Sequence, residues 1–206
     1  MRQVVLASTS AYRKALMMRL GIAFETARPE VDEEAYKARI ADPVALVQVL
    51  SRAKAEAVAA RFPGAVVIGS DQVAELEGEV FGKPHTPERA VEQLLRFSGR
   101  THRLITGVAV FDGASGVWHE TVQETRLLAR AFDAAFARRY VERDRPLDCA
   151  GSYMFERSGI TLFDRVETDD PTAIEGLPLT AVMRSLEACG CALLCDDLPQ
   201  PNRLPS

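Results

Sequence analysis

Short apolar runs alternate with longer amphipathic stretches along this chain, a pattern typical of an α/β protein. The apolar run at residues 65–68 follows a Pro63-Gly64 break and is rich in β-branched side chains, which predicts a strand buried on both faces. Asp71 follows shortly, so we expect its carboxylate where the strand ends. Ligands bind there in open α/β sheets, although an isolated Asp after a strand more often begins a turn.

The remaining pattern predicts a mixed series of strands and helices. Strands are predicted at residues 4–7, 73–80, 101–111, 117–128 and 160–163, with a turn at Glu77-Gly78 and an antiparallel pairing of 101–111 with 117–128. Helices are predicted at 11–20, from Asp42-Pro43 toward Pro63, after Thr86-Pro87, after Asp133, and from Leu177-Pro178 to Gly190. Residues 24–34 and 147–156 are predicted to be loops, the first acidic and the second rich in small and aromatic residues.

Length and composition indicate one globular domain. The chain has 206 residues, of which 47% are hydrophobic and 26% charged, enough for a sizeable core. We expect one domain over residues 1–195, and the composition of 196–206 predicts a disordered tail. A net charge of -4 gives no general reason to expect binding to nucleic acid or membranes. The N-terminal segment lacks a long apolar stretch, which favours a cytoplasmic location.

The cysteines and histidines form no recognisable metal or catalytic motif. The 4 cysteines have neither CxxC spacing nor nearby histidines, and the 3 histidines are scattered singly. We therefore expect reduced, packed thiols rather than a zinc site or a disulfide framework, and no Ser-His-Asp hydrolase.

Polar residues after the first predicted strand suit an anion. Ser8 and two further hydroxyl residues lie just before the helix at 11–20, and Arg13 lies near its start. A helix N-terminus carries unpaired N–H groups and partial positive charge, so this arrangement suits a phosphate. Taken alone, a serine N-cap with solvated basic residues is the commoner explanation.

Three more charged residues extend this set. Glu33 lies in the acidic loop, where its carboxylate can join Asp71 on a hard divalent cation, although acidic clusters are usually solvated. Lys54 lies on the helix before the central strand, a place where lysine is more often solvent-facing. Lys83 lies in a Gly-Lys-Pro triplet, in which the glycine lets the backbone approach a ligand and the proline stiffens the chain.

Several short motifs follow one another in an order that is more specific than any one of them. They are Leu6-Ala7-Ser8-Thr9-Ser10-Ala11-Tyr12-Arg13, Arg52-Ala53-Lys54-Ala55, Gly69-Ser70-Asp71-Gln72-Val73, Gly82-Lys83-Pro84, Ser98-Gly99, Thr106-Gly107-Val108, Asp148-Cys149-Ala150-Gly151-Ser152 and Gly176-Leu177-Pro178-Leu179. In this order they resemble the Maf family of nucleoside triphosphate pyrophosphatases, over residues 3–190.

Within that family the chain is similar to the YceF-like subgroup, whose members act on 7-methyl-GTP, rather than to the subgroup that acts on dTTP and UTP. Tyr12, Gln72 and Glu156 match the three positions that distinguish the subgroups. Methylation makes guanine cationic, so a tyrosine ring can stack on it. A carboxylate at Glu156 can accept from both the N1–H and the exocyclic amine of guanine. Ala11 departs from the motif, which usually has proline there.

The resemblance implies hydrolysis between the α and β phosphates, which releases a nucleoside monophosphate and pyrophosphate. Phosphoryl transfer depends mainly on positioning and charge neutralisation. The implied cations are Arg13, Lys54 and Lys83, and Ser8 is implied to bind phosphate oxygens.

Asp71 is implied either to bind a divalent metal, Mg²⁺ or Mn²⁺, or to orient and deprotonate the attacking water, with Glu33 as a second metal carboxylate. Two other functions stay open: hydrolysis of dTTP or UTP, and nucleotide-dependent regulation of cell division without catalysis. Because Asp71, Lys54 and Lys83 are all present, the sequence favours catalysis.

The resemblance also implies a fold: a mixed α/β domain with a twisted sheet, flanking helices and two lobes around a cleft, as in inosine-triphosphatase-like proteins. The expected partner is a small nucleotide substrate, with neither nucleic acid nor a membrane. Homodimers are common in the family, so a homodimer is among these expectations.

Overall fold

The computed structural model describes residues 2–194 and has the mixed α/β architecture that the sequence predicts; the expected tail at 196–206 lies outside the described residues. The strands of this part are β1 (Val4–Leu6), β2 (Glu25–Thr26), β3 (Val66–Leu76), β4 (Glu79–Phe81), β5 (Thr101–Asp112), β6 (Val117–Ala129) and β7 (Phe163–Glu167). The helices are α1 (Ala11–Met18), α2 (Glu33–Lys37), α3 (Pro43–Ala59), α4 (Pro87–Phe97), α5 (Ala134–Asp144) and α6 (Leu179–Ala188), with 3₁₀ turns at Ala150–Ser152, Ser158–Leu162 and Pro171–Glu175. None of the helices within 2–194 combines the length and the apolar character needed to cross a membrane.

The strands described here form one sheet in the order β2-β1-β3-β5-β6-β7, with β4 paired to β3. β1 runs parallel to β2 and to β3, and the other pairings are antiparallel. The predicted pairing of β5 with β6 is confirmed, as is the turn at Glu77 and Gly78. Both turn residues have positive φ, 53° and 87°, as a two-residue hairpin turn of this kind requires.

Asp71 does not lie where the sequence predicts, because β3 does not end before it. Asp71 lies near the middle of the 11-residue strand β3, opposite Gly107 of β5. The pairing with β5 continues from Val66 to Glu75, which keeps the chain extended beyond the apolar run. The carboxylate therefore projects from a strand interior, and the alternative of a turn residue is excluded.

One edge of β3 has no strand partner beside Asp71. β1 pairs with β3 only as far as Ile68, and β4 begins to pair at Ala74. Among the described strands, none pairs with residues 69–73 on that side. This interruption opens a cleft between a lobe built on β1 and β2 and a lobe built around β4, so side chains from both faces of β3 can reach the same space.

Helix α3 covers one face of the central strands at very short range. A Cβ on Gly69 would lie 2.1 Å from the carbonyl oxygen of Ser51, and one on Gly107 would lie 2.5 Å from that of Val47. Any larger residue at these two positions would push the helix away from the sheet. The two glycines thus allow Lys54 of α3 to lie against the strands.

The opposite face is covered in two separate places. α1 and α6 pack over the β1 side, with Leu16 and Val182 in one cluster with Ile68. α4 and α5 pack over the β4 side, with Leu94 and Tyr140 in another cluster. The cleft lies between these two packed layers.

Two predicted elements are wrong in detail. Residues 24–34 are not wholly a loop, because they contain β2 and the start of α2, which Asp32 caps by accepting from the Ala35 N–H at 3.2 Å. β2 joins the sheet edge through backbone pairing, which needs no apolar run. The segment predicted as a strand at 160–163 is mostly a 3₁₀ turn, and β7 begins at Phe163.

Candidate active site

The cleft contains two adjoining cavities of about 710 and 810 Å³. Eight of the nine site residues predicted from the sequence line the first cavity, and the ninth, Ser8, lines the second. The eight are Tyr12, Arg13, Glu33, Lys54, Asp71, Gln72, Lys83 and Glu156. The fold therefore brings together residues from α1, α2, α3, β3 and three connecting segments.

Lys54 lies between two carboxylates, and we call Glu33, Lys54 and Asp71 the charged centre. The Lys54 Nζ lies 2.6 Å from Asp71 Oδ1 and 2.8 Å from Glu33 Oε1. Lys54 and Asp71 are 5% and 6% exposed, which excludes the alternative of a solvent-facing lysine. Although burial raises the pKa of Glu33, the Lys54 ammonium outweighs it, and the pKa lies below its usual value.

The segment between β1 and α1 is organised by serine hydroxyls. Ser10 Oγ accepts from the Arg13 backbone N–H at 3.4 Å, so α1 begins at Ala11 without the proline usual in the motif. Ser8 Oγ accepts from the Ser10 N–H at 3.1 Å. Serine capping therefore does occur here, and the same hydroxyls line the second cavity.

Arg13 is fixed by the other side of the cleft. Its Nε donates to the carbonyl oxygen of Gly176 at 2.8 Å, which leaves the rest of the guanidinium beside the cavities. Burial lowers the pKa of Arg13, while the charges of Asp71 and Glu33 act in the opposite direction. The guanidinium thus adds positive charge next to the charged centre.

Lys83 supplies a more exposed cation from the β4 lobe. It follows β4, lines both cavities and makes no direct ion pair within residues 2–194. Its ammonium is therefore available to a ligand that enters the cleft.

The donor set of the charged centre fits one kind of divalent metal site. Asp71 and Glu33 each direct a carboxylate oxygen at the same position, which the Lys54 ammonium marks as a place for positive charge. No group of three or more His, Cys, Asp or Glu within the described chain is arranged to hold a metal. The two carboxylates fit an ion such as Mg²⁺, which takes one or two protein carboxylates and completes its coordination with water and substrate phosphates.

Gln72 extends to the opposite face of β3 from Asp71, and its amide has a fixed direction. Nε2 donates to the Ala173 carbonyl oxygen at 2.7 Å and to Thr106 Oγ1 at 2.8 Å. These contacts use both amide hydrogens, so Oε1 is the atom left to accept from a ligand. A Cβ on Gly176 would lie 3.7 Å from Oε1, which places this oxygen beside the residue that holds Arg13.

Four more cavity residues lie with Gln72 at what we call the acceptor end: Tyr12, Cys149, Glu156 and Glu175. Burial is the main cause that raises the pKa of Tyr12 and that of Cys149, the latter to about 11, and the negative charge of Glu156 adds to both. Burial and Glu156 also raise the pKa of Glu175. The charge of Glu156 thus acts on all three groups, and a carboxylate beside them favours a cationic ligand.

The loop that supplies Glu156 is braced from behind. Gly151 has φ 73°, and a Cβ there would lie 2.9 Å from the Tyr153 ring, so glycine is required. The Tyr153 hydroxyl lies 3.1 Å from His102 Nε2, and Met154 donates its N–H to the Tyr140 hydroxyl at 2.9 Å. These contacts fix the backbone that leads to Glu156.

Three residues of this arrangement were not singled out from the sequence. Thr106 and Gly176 stand in motifs that were recognised, but the motifs do not show that one contacts Gln72 and the other Arg13. Glu175 has no sequence signal, because a glutamate before a glycine is ordinary in a loop. Only the fold shows that it lines the cavity with Glu156.

Comparison of the sequence with known proteins gives consistent matches. The family model described as Maf-like protein matches residues 3–189. The 7-methyl-GTP pyrophosphatase of Bdellovibrio bacteriovorus is 45% identical over 186 residues, which is 90% of this chain and 96% of that protein. The protein of the same name from Xanthomonas campestris pv. campestris is 48% identical over 193 residues, 94% of this chain and 99% of that protein.

Comparison with solved structures supports the fold class. The Ham1 protein of Staphylococcus aureus superposes with a TM-score of 0.50 at 14% identity, covering 90% of this chain and all of that one (100%). At this identity the likeness shows the fold alone, and it agrees with the mixed α/β fold expected from the sequence.

Proposed function

Because this chain belongs to the Maf family, we propose that it is a nucleoside triphosphate pyrophosphatase that hydrolyses 7-methyl-GTP to 7-methyl-GMP and pyrophosphate. The main support for this proposal is that one cavity is lined both by the buried Lys54–Asp71 contact, at 2.6 Å, and by the acceptor end. The names of the related proteins support the same substrate.

The triphosphate lies, in this proposal, along the charged centre and the second cavity. Arg13, Lys54 and Lys83 neutralise the phosphate oxygens, and Ser8 with the start of α1 donates hydrogen bonds to them. Lys54 reaches this position only by being buried beside Asp71, which keeps its ammonium fixed. Fixed cations stabilise charge that develops in the transition state without reorganising.

Asp71 is proposed to hold the attacking water. Its Oδ1 contacts Lys54, while its other oxygen can accept from a water molecule in the cavity. Glu33 contacts Lys54 from α2, and its side chain is more exposed than that of Asp71.

Asp71 and Glu33 would also hold Mg²⁺ or Mn²⁺ that arrives with the substrate, since their oxygens converge on one cation position. When bound, such an ion would supply positive charge to neutralise the phosphates.

The base lies, in this proposal, at the acceptor end. The Tyr12 ring stacks on the cationic methylated base, and Glu156 accepts from the N1–H and the exocyclic amine. Gln72 Oε1 adds a third acceptor. The charge of Glu156, which adds to the effect of burial in raising the pKa of Tyr12 and of Glu175, favours a cationic base over a neutral one.

The test is pyrophosphate release from a panel of triphosphates, with and without EDTA and with Mg²⁺ or Mn²⁺ restored. We expect 7-methyl-GTP to have the highest kcat/KM, pyrophosphate as the co-product, and loss of turnover in EDTA. Faster turnover of dTTP or UTP would contradict the substrate, and full activity in EDTA would contradict the metal. Binding of nucleotide without any turnover would leave the regulatory alternative.

A cytoplasmic location, where nucleotide pools lie, belongs to the same proposal.

A further inference from the structure

The direction of the Gln72 amide decides what the acceptor end offers to a nucleobase. A glutamine presents an acceptor through Oε1 or two donors through Nε2, and the two ends have nearly the same shape. Turning the amide over would replace an acceptor by a donor in the cavity. The residues that fix this direction therefore influence base choice without touching the base.

Two contacts fix the direction. The Ala173 carbonyl oxygen can only accept, so the atom at 2.7 Å from it must be the Gln72 nitrogen. Thr106 Oγ1 donates its own hydrogen to the same carbonyl at 3.1 Å, which leaves it as an acceptor for the second Gln72 N–H at 2.8 Å. The three groups form a closed set in which each hydrogen has one acceptor.

Thr106 acts from behind the cavity. It lies directly opposite Gln72 in the pairing of β3 with β5, is 1% exposed, and lines neither of the two cavities. The Ala173 carbonyl belongs to the 3₁₀ turn Pro171–Glu175, so the same hydroxyl also ties that turn to the sheet. Because Thr106 lines neither cavity, it can affect the base only through Gln72.

We propose that Thr106 is a positioning residue that holds the Gln72 carbonyl oxygen toward the nucleobase, so that the site favours guanine, with three N–H hydrogens on the facing edge, over thymine, with one. The proposal rests on the proposed function, because it takes Gln72 as a base contact. Without the Thr106 hydroxyl, one Gln72 N–H has no buried acceptor. The amide is then held by the Ala173 carbonyl alone, a single contact about which it can rotate, so Oε1 is held less firmly toward the cavity.

The test compares Thr106→Val, which keeps the shape and removes the hydroxyl, with Thr106→Ser, which keeps the hydroxyl. We expect Thr106→Val to weaken binding of 7-methyl-GMP about tenfold and binding of dTMP less than about twofold, since the hydrogen bond that Gln72 Oε1 accepts from the guanine edge is lost. Thr106→Ser should keep the ratio of 7-methyl-GMP affinity to dTMP affinity within about twofold of that of the unmodified chain. Thr121→Val, at an exposed threonine of β6, controls for a general effect of this substitution in a strand.

A double-mutant cycle separates positioning from a general structural role. In a Gln72→Met background, Thr106→Val should change the 7-methyl-GMP to dTMP ratio by less than about twofold, because the group it positions is gone. Thr106→Ala serves if the valine variant unfolds. In turnover, the expected change lies in KM rather than in kcat.

Three results would overturn the inference: equal weakening of both nucleotides by Thr106→Val, the same loss in Thr106→Ser, or an undiminished effect in the Gln72→Met background. Binding of the monophosphates needs no turnover, so the outcome is distinct from failure of the proposed function. An unmodified chain that binds 7-methyl-GMP selectively but hydrolyses no triphosphate would contradict the proposed function and leave this test intact. If the unmodified chain binds both monophosphates equally, both proposals fail.

Discussion

The charged centre and the acceptor end line one cavity, but ion pairs hold the side chains of the first and neutral hydrogen bonds hold Gln72 in the second. At the charged centre, ionic groups from three elements satisfy one another, with the buried Lys54 between the buried Asp71 and the more exposed Glu33. At the acceptor end, neutral donors such as the Gln72 amide are satisfied by backbone and hydroxyl oxygens, which leaves acceptors toward the ligand. In the proposed function, the charged centre acts on the anhydride, and the direction of the hydrogen bonds at the acceptor end selects the base.

The two regions should therefore respond differently to substitution. A buried ion pair leaves an uncompensated charge when one partner is removed, which harms stability and chemistry together. A hydrogen bond to the base affects only ligands that offer the complementary group.

The largest effect is expected for Asp71→Asn, which keeps the shape and removes the charge. We expect kcat for 7-methyl-GTP to fall about a thousandfold, because the water loses its orienting base and the cation position loses a carboxylate. The unfolding midpoint of the variant gives the control, since a folded protein is needed to interpret the loss. Turnover within about tenfold of the unmodified chain would remove Asp71 from the mechanism.

A smaller loss of activity, with a loss of stability, is expected for Lys54→Met. We expect kcat to fall about a hundredfold on every triphosphate, because the fixed cation is gone. Unfolding should be easier by about 3 kcal/mol, since the Asp71 carboxylate is left buried without its partner. The double variant Lys54→Met/Asp71→Asn should recover part of that stability in urea titration. If it is less stable than either single variant, the two residues are not coupled as described.

At the acceptor end, the effect of Glu156→Gln should differ between substrates. We expect kcat/KM for 7-methyl-GTP to fall about tenfold and that for dTTP to change little, because glutamine offers one acceptor where guanine needs two. Glu187→Gln, on the exposed side of α6, is the matched control for loss of one carboxylate. An equal fall for both nucleotides would make Glu156 a structural residue.

The smallest effect on turnover is expected for the support behind the acceptor end, where a change acts on stability. Burial, only partly opposed by Glu75, lowers the pKa of His102 from 6.5 to about 4. The unfolded chain therefore binds this proton more readily than the folded one. The stability that the neutral His102 contributes is present above about pH 6.5 and is lost as pH falls toward 4, by up to about 3 kcal/mol.

His102→Phe keeps an aromatic ring against Phe97, with which His102 stacks at 4.2 Å, and removes the titration. The variant should unfold more easily at neutral pH, because the Tyr153 hydroxyl loses its partner, but its stability should depend less on pH between 6.5 and 4. Urea titrations at several pH values measure both. An unchanged pH dependence would show that other groups cause the loss of stability at low pH.

The sequence predicts the elements well where local chemistry sets them. Asp42, Thr86 and Asp133 cap helices as expected, each accepting from a backbone N–H. It fails for Asp71, because only the long-range pairing of β3 with β5 extends the strand past the apolar run. It also fails for β2, whose two residues are held by backbone pairing rather than by an apolar pattern.

The candidate site was predicted mainly through resemblance, since each residue alone favoured an ordinary explanation. What the sequence could not provide is how the residues meet. The gap in the sheet edge at residues 69–73 and the close approach of α3 at Gly69 and Gly107 depend on the whole fold. The hydrogen-bond direction of Gln72 depends on Thr106 and on the Ala173 carbonyl, which lies 101 residues away along the chain.

The most direct test is a competition between 7-methyl-GTP and dTTP at equal concentration, with the products identified by mass spectrometry. We expect 7-methyl-GMP and pyrophosphate to form first and dTMP to form only after 7-methyl-GTP is nearly consumed. Earlier formation of dTMP would contradict the role of the acceptor end, and formation of 7-methyl-GDP with orthophosphate would contradict cleavage between the α and β phosphates.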